Sequence, residues 1–299
     1  MALTKIIKWT HRYMEPIKNH YLDIPEERKL RIFREEDADF YSFWEKMLDD
    51  KQSFYQHPLK RMSSDAWYSL DAFFTASKYG QHQASPAYIK RALELLNNVY
   101  LLANHSDQVV EFSVGHRHFS EVGNRAVAGG TMDAWLDEIC LAMAARDWRC
   151  LELMTIMDES LVSIKTPFNV ALVEFVSGVF SNSSALPELL QTVMEKSSPQ
   201  YLESTRVPYV HSLFIPFVNV FVAIIDGDEA HYQEALRDAL EAHYQFYMNE
   251  DVRYSPKGNV SLKLIGLAAL AYDKYGWTIP EAAYLPKWLV YGEHDLCSA

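Results

Sequence analysis

Apolar residues recur three and four positions apart along almost the whole chain, and this period restricts the fold more than any other feature. It gathers apolar side chains on one stripe of a helix and not on the alternating faces of a strand. The first such stretch runs from Glu26 to Leu48, with Ile32, Phe33, Phe40, Phe43, Trp44 and Met47 as its stripe. A second runs from an N-cap at Ser64 through Trp67, Leu70, Phe73 and Phe74 to Gly80, which sits where a left-handed cap belongs. Ser85-Pro86 opens a third, carrying Ile89, Leu93, Leu95, Leu96 and Leu101. Thr131 opens a strongly amphipathic helix with Trp135, Leu136, Ile139, Leu141 and Met143. Further helices are expected over 149–161, 168–180, 186–194, 211–225, 228–248 and 261–275. The stretch 105–130 lacks the period and holds Gly115, Gly123 and Gly129-Gly130, so it is expected to be an irregular loop.

Sandwiches and barrels use many turn residues, and this chain has 11 Gly and 12 Pro in 299 residues. The expected fold is therefore all-α: antiparallel helical hairpins packed into one elongated or bundle-like domain over 1–299, with no sheet of consequence. No repeat of fixed period is present. The 105–130 loop is the only candidate boundary, dividing N-terminal helices in 1–105 from a C-terminal helical region in 131–299.

At 49% hydrophobic and 23% charged, the chain can bury an ordinary core. Its 28 Lys and Arg against 40 Asp and Glu leave a net charge of −12. That argues against nucleic acid or an anionic membrane as a direct partner, since both demand a basic footprint. The first dozen residues lack a signal peptide's apolar core and cleavage site. The longest apolar run, Ser212 to Ile225, contains Pro216 and Asn219 and has the length of a buried helix, not of a bilayer span. The expected location is the cytoplasm. Cys140, Cys150 and Cys297 form no C-x-x-C pair and suit a reducing compartment, the first two as small core residues.

Motifs for chemistry are sparse. Phosphate-binding glycine loops, a nucleophile elbow and H-E-x-x-H are all missing. Asp226-Gly227-Asp228-Glu229 resembles the start of a calcium loop, but His231 stands where that loop must turn on glycine. His116 and His118 could offer two imidazoles to a metal if they lay on a strand, where alternate residues share a face. A metal-dependent helical enzyme using His116 and His118 is thus one alternative reading, and a helical scaffold or adaptor is another. Neither a cofactor nor a catalytic residue is otherwise implied.

The more specific signal is a charge pattern. From Phe221 to Asp251 the chain carries eight acids and a single Lys or Arg, Arg237. Asp226, Asp228 and Glu229 fall at a helix N-terminus, where the macrodipole favours anions. Glu234, Asp238 and Glu241 have no such local reason. They lie on the face opposite Tyr232, Leu236, Ala239 and Tyr247, with no lysine between them. Like charges at that spacing cost a helix roughly a few tenths of a kcal/mol each. The pattern suits either a solvated face or a cationic partner. Glu234, Asp238 and Glu241 are the first candidates for partner contact, then Asp226, Asp228 and Glu229.

The C-terminal third adds a resemblance. Glu234-Ala-Leu-Arg-Asp-Ala-Leu-Glu-Ala-His243-Tyr-Gln-Phe-Tyr247 is followed by a polar loop through Pro256 and Gly258. The apolar helix from Ser261 to Gly276 and then Tyr284-Leu285-Pro286-Lys-Trp-Leu289 come next. This order, with Thr131-Met-Asp-Ala-Trp135 through Arg146-Asp147 as a middle helix, resembles the immunity protein 49 family of bacterial polymorphic toxin systems, over roughly residues 110–290. The resemblance implies an all-α cytoplasmic antidote that binds and neutralises a toxin domain, and carries over no catalytic residue. A cytosol-acting nuclease is the expected kind of toxin, since a nuclease must be basic to hold its substrate. His243 is expected to anchor its helix to a neighbour, Gly276 to cap the last long helix, and Tyr284-Leu285-Pro286 to pin the tail.

Overall fold

The expected helices form largely where the three-and-four spacing places them. The computed structural model describes residues 16–20, 25–49, 58–128, 130–156, 166–294 and 296. Helix α1 spans Glu26–Asp49 and buries Phe33, Phe40, Trp44 and Met47. Helix α2 spans Pro58–Lys78 and α3 spans Ser85–Asn104. Ser64 is therefore inside α2 and is not its cap. The helix starts earlier because proline suits a first turn and Leu-Lys-Arg-Met after it are good helix formers. Gly80 has φ of +71°, the left-handed value expected of it. Ser85 is the first residue of α3, but its hydroxyl donates to the Gln81 carbonyl rather than capping the helix.

The stretch expected to be irregular is instead a β-hairpin. Strand β1 spans Val109–Val114 and pairs antiparallel with β2, Arg117–Val122, with Phe112 opposite Phe119. The alternation was present in Val109-Val-Glu-Phe-Ser-Val114, with Val110, Phe112 and Val114 buried. The surrounding glycines obscured it, yet Gly115 is the turn residue, left-handed at φ +57°. Phe112 and Phe119 stack 5.3 Å apart, and Asn98 of α3 donates to the Ser113 carbonyl, which holds the hairpin on that helix. The sheet has these two strands only, among the described residues, and the fold is predominantly all-α.

Helix α4, Met132–Ala145, is capped by the Thr131 hydroxyl, which accepts from Ala134 N. Then follow α5 (Trp148–Thr155), α6 (Pro167–Phe180) and α7 (Leu186–Lys196). The far end of the helix expected over 149–161 lies outside the described residues, as do the N-terminal dozen residues and Cys297. Helix α8 runs continuously over Val207–Asp226, with a π-helical turn at Val210–Phe214. It is long and apolar enough to cross a bilayer by length and composition, contrary to the sequence expectation, because the helix starts well before Ser212. Here it packs on its neighbours with Phe214, Phe217, Val218, Val220 and Phe221 fully buried. Gly227, left-handed at φ +71°, turns the chain into α9, Glu229–Tyr247. Helix α10 is Leu262–Tyr275 and α11 is Lys287–Val290.

The main helix contacts are α2 on α3, α4 on α10, α8 on α9 and α6 on α7. The α4–α10 crossing joins segments far apart in sequence. Gly266 faces Cys140 so closely that a Cβ there would lie 2.5 Å from the Cys140 carbonyl oxygen. Cys140 and Cys150 are buried free thiols, as expected. Tyr284, Leu285, Leu289 and Val290 are buried, so the tail is pinned as the sequence suggested. Arg146, the left-handed residue ending α4, clamps it further. Its guanidinium donates to Asp273 at 3.0 and 2.9 Å and to the Leu289 and Val290 carbonyls.

Candidate functional site

Helix α9 presents two unlike faces, and its sequence dictates both. Tyr232, Leu236, Ala239, Leu240, His243 and Tyr247 turn inward and are buried. Glu234, Asp238 and Glu241 are all exposed on the outer face, together with His231, Gln245 and Met248. Arg237 is buried, so it adds no exposed positive group to that face. Asp238 and Glu241 also interact within the chain, so the stripe is exposed carboxylate surface and not a row of unpartnered charges. Asp228 and Glu229 are exposed at the N-terminal end of the same helix, but Asp226, expected there too, is the exposed last residue of α8, because Gly227 ends that helix before α9 begins. Asp228 is its N-cap, accepting from His231 N at 3.0 Å, which accounts for one of these acids by local structure. Met248 at the other end is 47% exposed and Tyr254 beyond it 77%. Large apolar groups of this kind beside a charged face are common in protein interfaces.

A polar network missed in the sequence lies behind this helix and joins α4 to α10. Lys263 donates to Asp133 Oδ1 at 2.7 Å and to Asp137 Oδ1 at 2.6 Å. Lys257 reaches the other oxygen of each, at 3.3 and 3.2 Å. These four side chains, with Tyr209, His243 and Tyr247, border a cavity of about 30 Å³. Burial works against charge on Asp133, but the two lysines outweigh it and hold the carboxyl well below its usual range. Lys263 is desolvated too, and the paired carboxylates nevertheless push its ammonium well above the ordinary value. The signal available in the sequence was acids one turn apart, Asp133 and Asp137, followed by Glu138, in a helix otherwise apolar. Lys263 in an apolar helix was its counterpart.

His243 does anchor α9 as expected. Its Nε2 lies 3.2 Å from the Gly258 carbonyl, and its ring packs against Tyr247 and Tyr284 at 4.7 and 4.6 Å. Burial pushes its pKa down to about 3, so the imidazole is neutral. Gly276 ends α10 with φ +72°, and its N–H donates to the Tyr272 carbonyl. Beside the lysine cluster, Glu138 is buried under α2 and α3, accepting from Trp67 Nε1 at 2.8 Å and from the Tyr100 hydroxyl.

The histidine alternative fares differently. His116 lies in the hairpin turn and His118 on β2, both exposed, and His118 Nδ1 is 2.8 Å from the Ser113 hydroxyl. Among the described residues no group of three or more His, Cys, Asp or Glu is placed to hold a metal ion.

The structure thus exposes the predicted acids on α9 and at the turn that leads into it, apart from the buried ionic cluster. No curated protein and no solved structure matches the chain. A family model described as immunity protein 49 matches residues 80–289, most of the chain, beginning further toward the N-terminus than the resemblance read from the motifs.

Proposed function

This chain belongs to the immunity protein 49 family, and from that premise we propose that it binds and neutralises a cytosol-acting toxin by covering its active site. The observation that carries the binding face is the exposed row Glu234, Asp238 and Glu241 on a helix whose inner face is buried and anchored by His243. A rigid face loses little freedom on association, so more of each contact is kept as affinity. Carboxylates on it match a toxin whose own surface is basic. A nuclease is the class that fits, because its phosphate-binding residues must be cationic. An acidic inhibitor would meet those residues, gain encounter rate by electrostatic steering and exclude the substrate. In this reading the protein acts in the cytoplasm by binding alone. It catalyses nothing and takes no cofactor.

The test uses the toxin encoded beside this gene. Purified chain and toxin are mixed, run through size exclusion, and assayed for toxin activity. Co-elution with loss of activity is expected. A fully active toxin that elutes apart from the chain would defeat the proposal.

A further inference from the structure

Helices α1 and α2 lie outside the family-matched stretch, and they enclose a cleft that the acidic helix does not explain. Its two walls come from one face of each helix: Phe33, Glu36, Asp37 and Phe40 on α1, and Tyr68, Asp71, Ala72 and Thr75 on α2. The spacing in both sets is three and four, so the cleft is written into each helix. Tyr88 of α3 and Asp39 complete a space of about 250 Å³.

The floor is aromatic. Phe40 is almost fully buried, stacks on Tyr68 at 5.4 Å, and meets Tyr88 edge-on at 4.8 Å. Tyr68, which also packs on Phe43 at 4.6 Å, is 37% exposed at the mouth of the cleft. Among the described residues the rim holds four carboxylates and no base. Asp37 accepts from the Tyr88 hydroxyl. Glu36, Asp39 and Asp71 form no ion pair among the described residues. Lys78 and Lys257 act on Glu36 and Asp71 from outside the lining. Even so, burial outweighs the two lysines and pushes both carboxyls above their ordinary values.

The chain itself holds guanidinium groups against the floor's Phe40 and the rings beside it. Arg91 lies 5.2, 4.7 and 5.1 Å from the ring centres of Phe40, Tyr41 and Trp44, and Arg61 lies 5.7 Å from that of Phe43. An aromatic floor with an anionic rim is what a desolvated organic cation needs. We propose that this cleft is a second recognition site, taking a basic side chain, the guanidinium of an arginine or the ammonium of a lysine, from the protein partner. The basic character of that partner rests on the reading above. The cleft does not depend on the α9 face.

The full chain, with its tyrosine rings isotopically labelled, is titrated with N-acetyl-arginine methylamide, its lysine counterpart and its neutral glutamine counterpart, followed by NMR. The expected result is saturable shifts at Tyr68 and Tyr88 with either cationic probe and none with the glutamine probe. Tyr68→Ala should weaken the effect about tenfold, from the loss of one cation–π contact. Asp71→Asn should also weaken it, while Tyr68→Phe keeps it because the ring face remains. Circular dichroism identifies any variant that fails to fold. Equal shifts with all three probes, no saturation with any, or loss in Tyr68→Phe would overturn the proposal. The titration involves no toxin, so its failure leaves the neutralisation proposal standing, and failure of the toxin assay leaves the cleft standing.

Discussion

Lys263 of α10 donates to Asp137 of α4 across 2.6 Å, with both side chains nearly closed off from water. The pair ties two helices more than a hundred residues apart in sequence, directly behind the helix that carries the acidic face. Such a pair is a poor source of net stability when intact, yet breaking it strands a buried charge. Lys263→Met should therefore cost about 3–5 kcal/mol. Urea unfolding of the variant against the parent measures this. A cost below about 1 kcal/mol would show that the pair is not buried as described.

Glu138 gives a pH prediction of opposite character. Desolvation raises its carboxyl to about 7, even though Tyr100 and Trp67 donate to it. A folded-state pKa above the unfolded one favours the protonated group, so this contribution is complete in acid. It is lost as pH rises from the ordinary carboxylate range through about 7. Asp65, raised to about 6 by burial, adds in the same direction. Glu138→Gln should remove the Glu138 share, leaving the variant more stable than the parent above neutrality by on the order of 3 kcal/mol or less. Thermal melts across this range would read it. Parallel curves for the two proteins would contradict the assignment.

Gly266 permits the α4–α10 contact, and Gly266→Ala should disrupt it. The added Cβ would sit 2.5 Å from the Cys140 carbonyl oxygen and 2.7 Å from its Cα, against backbone that cannot swing aside. The expected cost is about 1–3 kcal/mol or more, from overpacking. Denaturant midpoints would check it, and a neutral substitution would mean that the helices lie further apart.

Association with a basic toxin through the α9 face should weaken with salt. Exposed charges beyond a Debye length of about 8 Å at physiological ionic strength are largely screened. Stopped-flow association rates should fall steeply as salt rises while dissociation rates change little. A salt-independent on-rate would point to contact through another surface.

The helices were legible because each depends on its own residues. The stretch of α1 ends within a residue of where the spacing places it, and Thr131 opens α4 as expected. The π turn in α8 and the early start of α2 were not legible, because neighbouring side chains decide them. The hairpin was hidden for another reason. Strands of six residues give a weak alternation, and the turn glycine resembled loop composition. The six candidate acids were legible as a charge pattern, and all six are exposed. The ionic cluster of Asp133, Asp137, Lys257 and Lys263 was not, since the acids and the lysines meet only through the fold. Of the acidic rim of the α1–α2 cleft, Glu36, Asp37 and Asp39 are neighbours in sequence, but Asp71 joins them only through the fold. The aromatic floor beneath it comes from three helices.

The most direct test of the central claim is survival of cells making the neighbouring toxin together with this protein or its variant Glu234→Lys, Asp238→Lys, Glu241→Lys. These positions are exposed, so the variant should fold, with stability within about 1 kcal/mol of the parent. The account predicts that the parent protects and the folded triple variant does not. Full protection by that variant would contradict it.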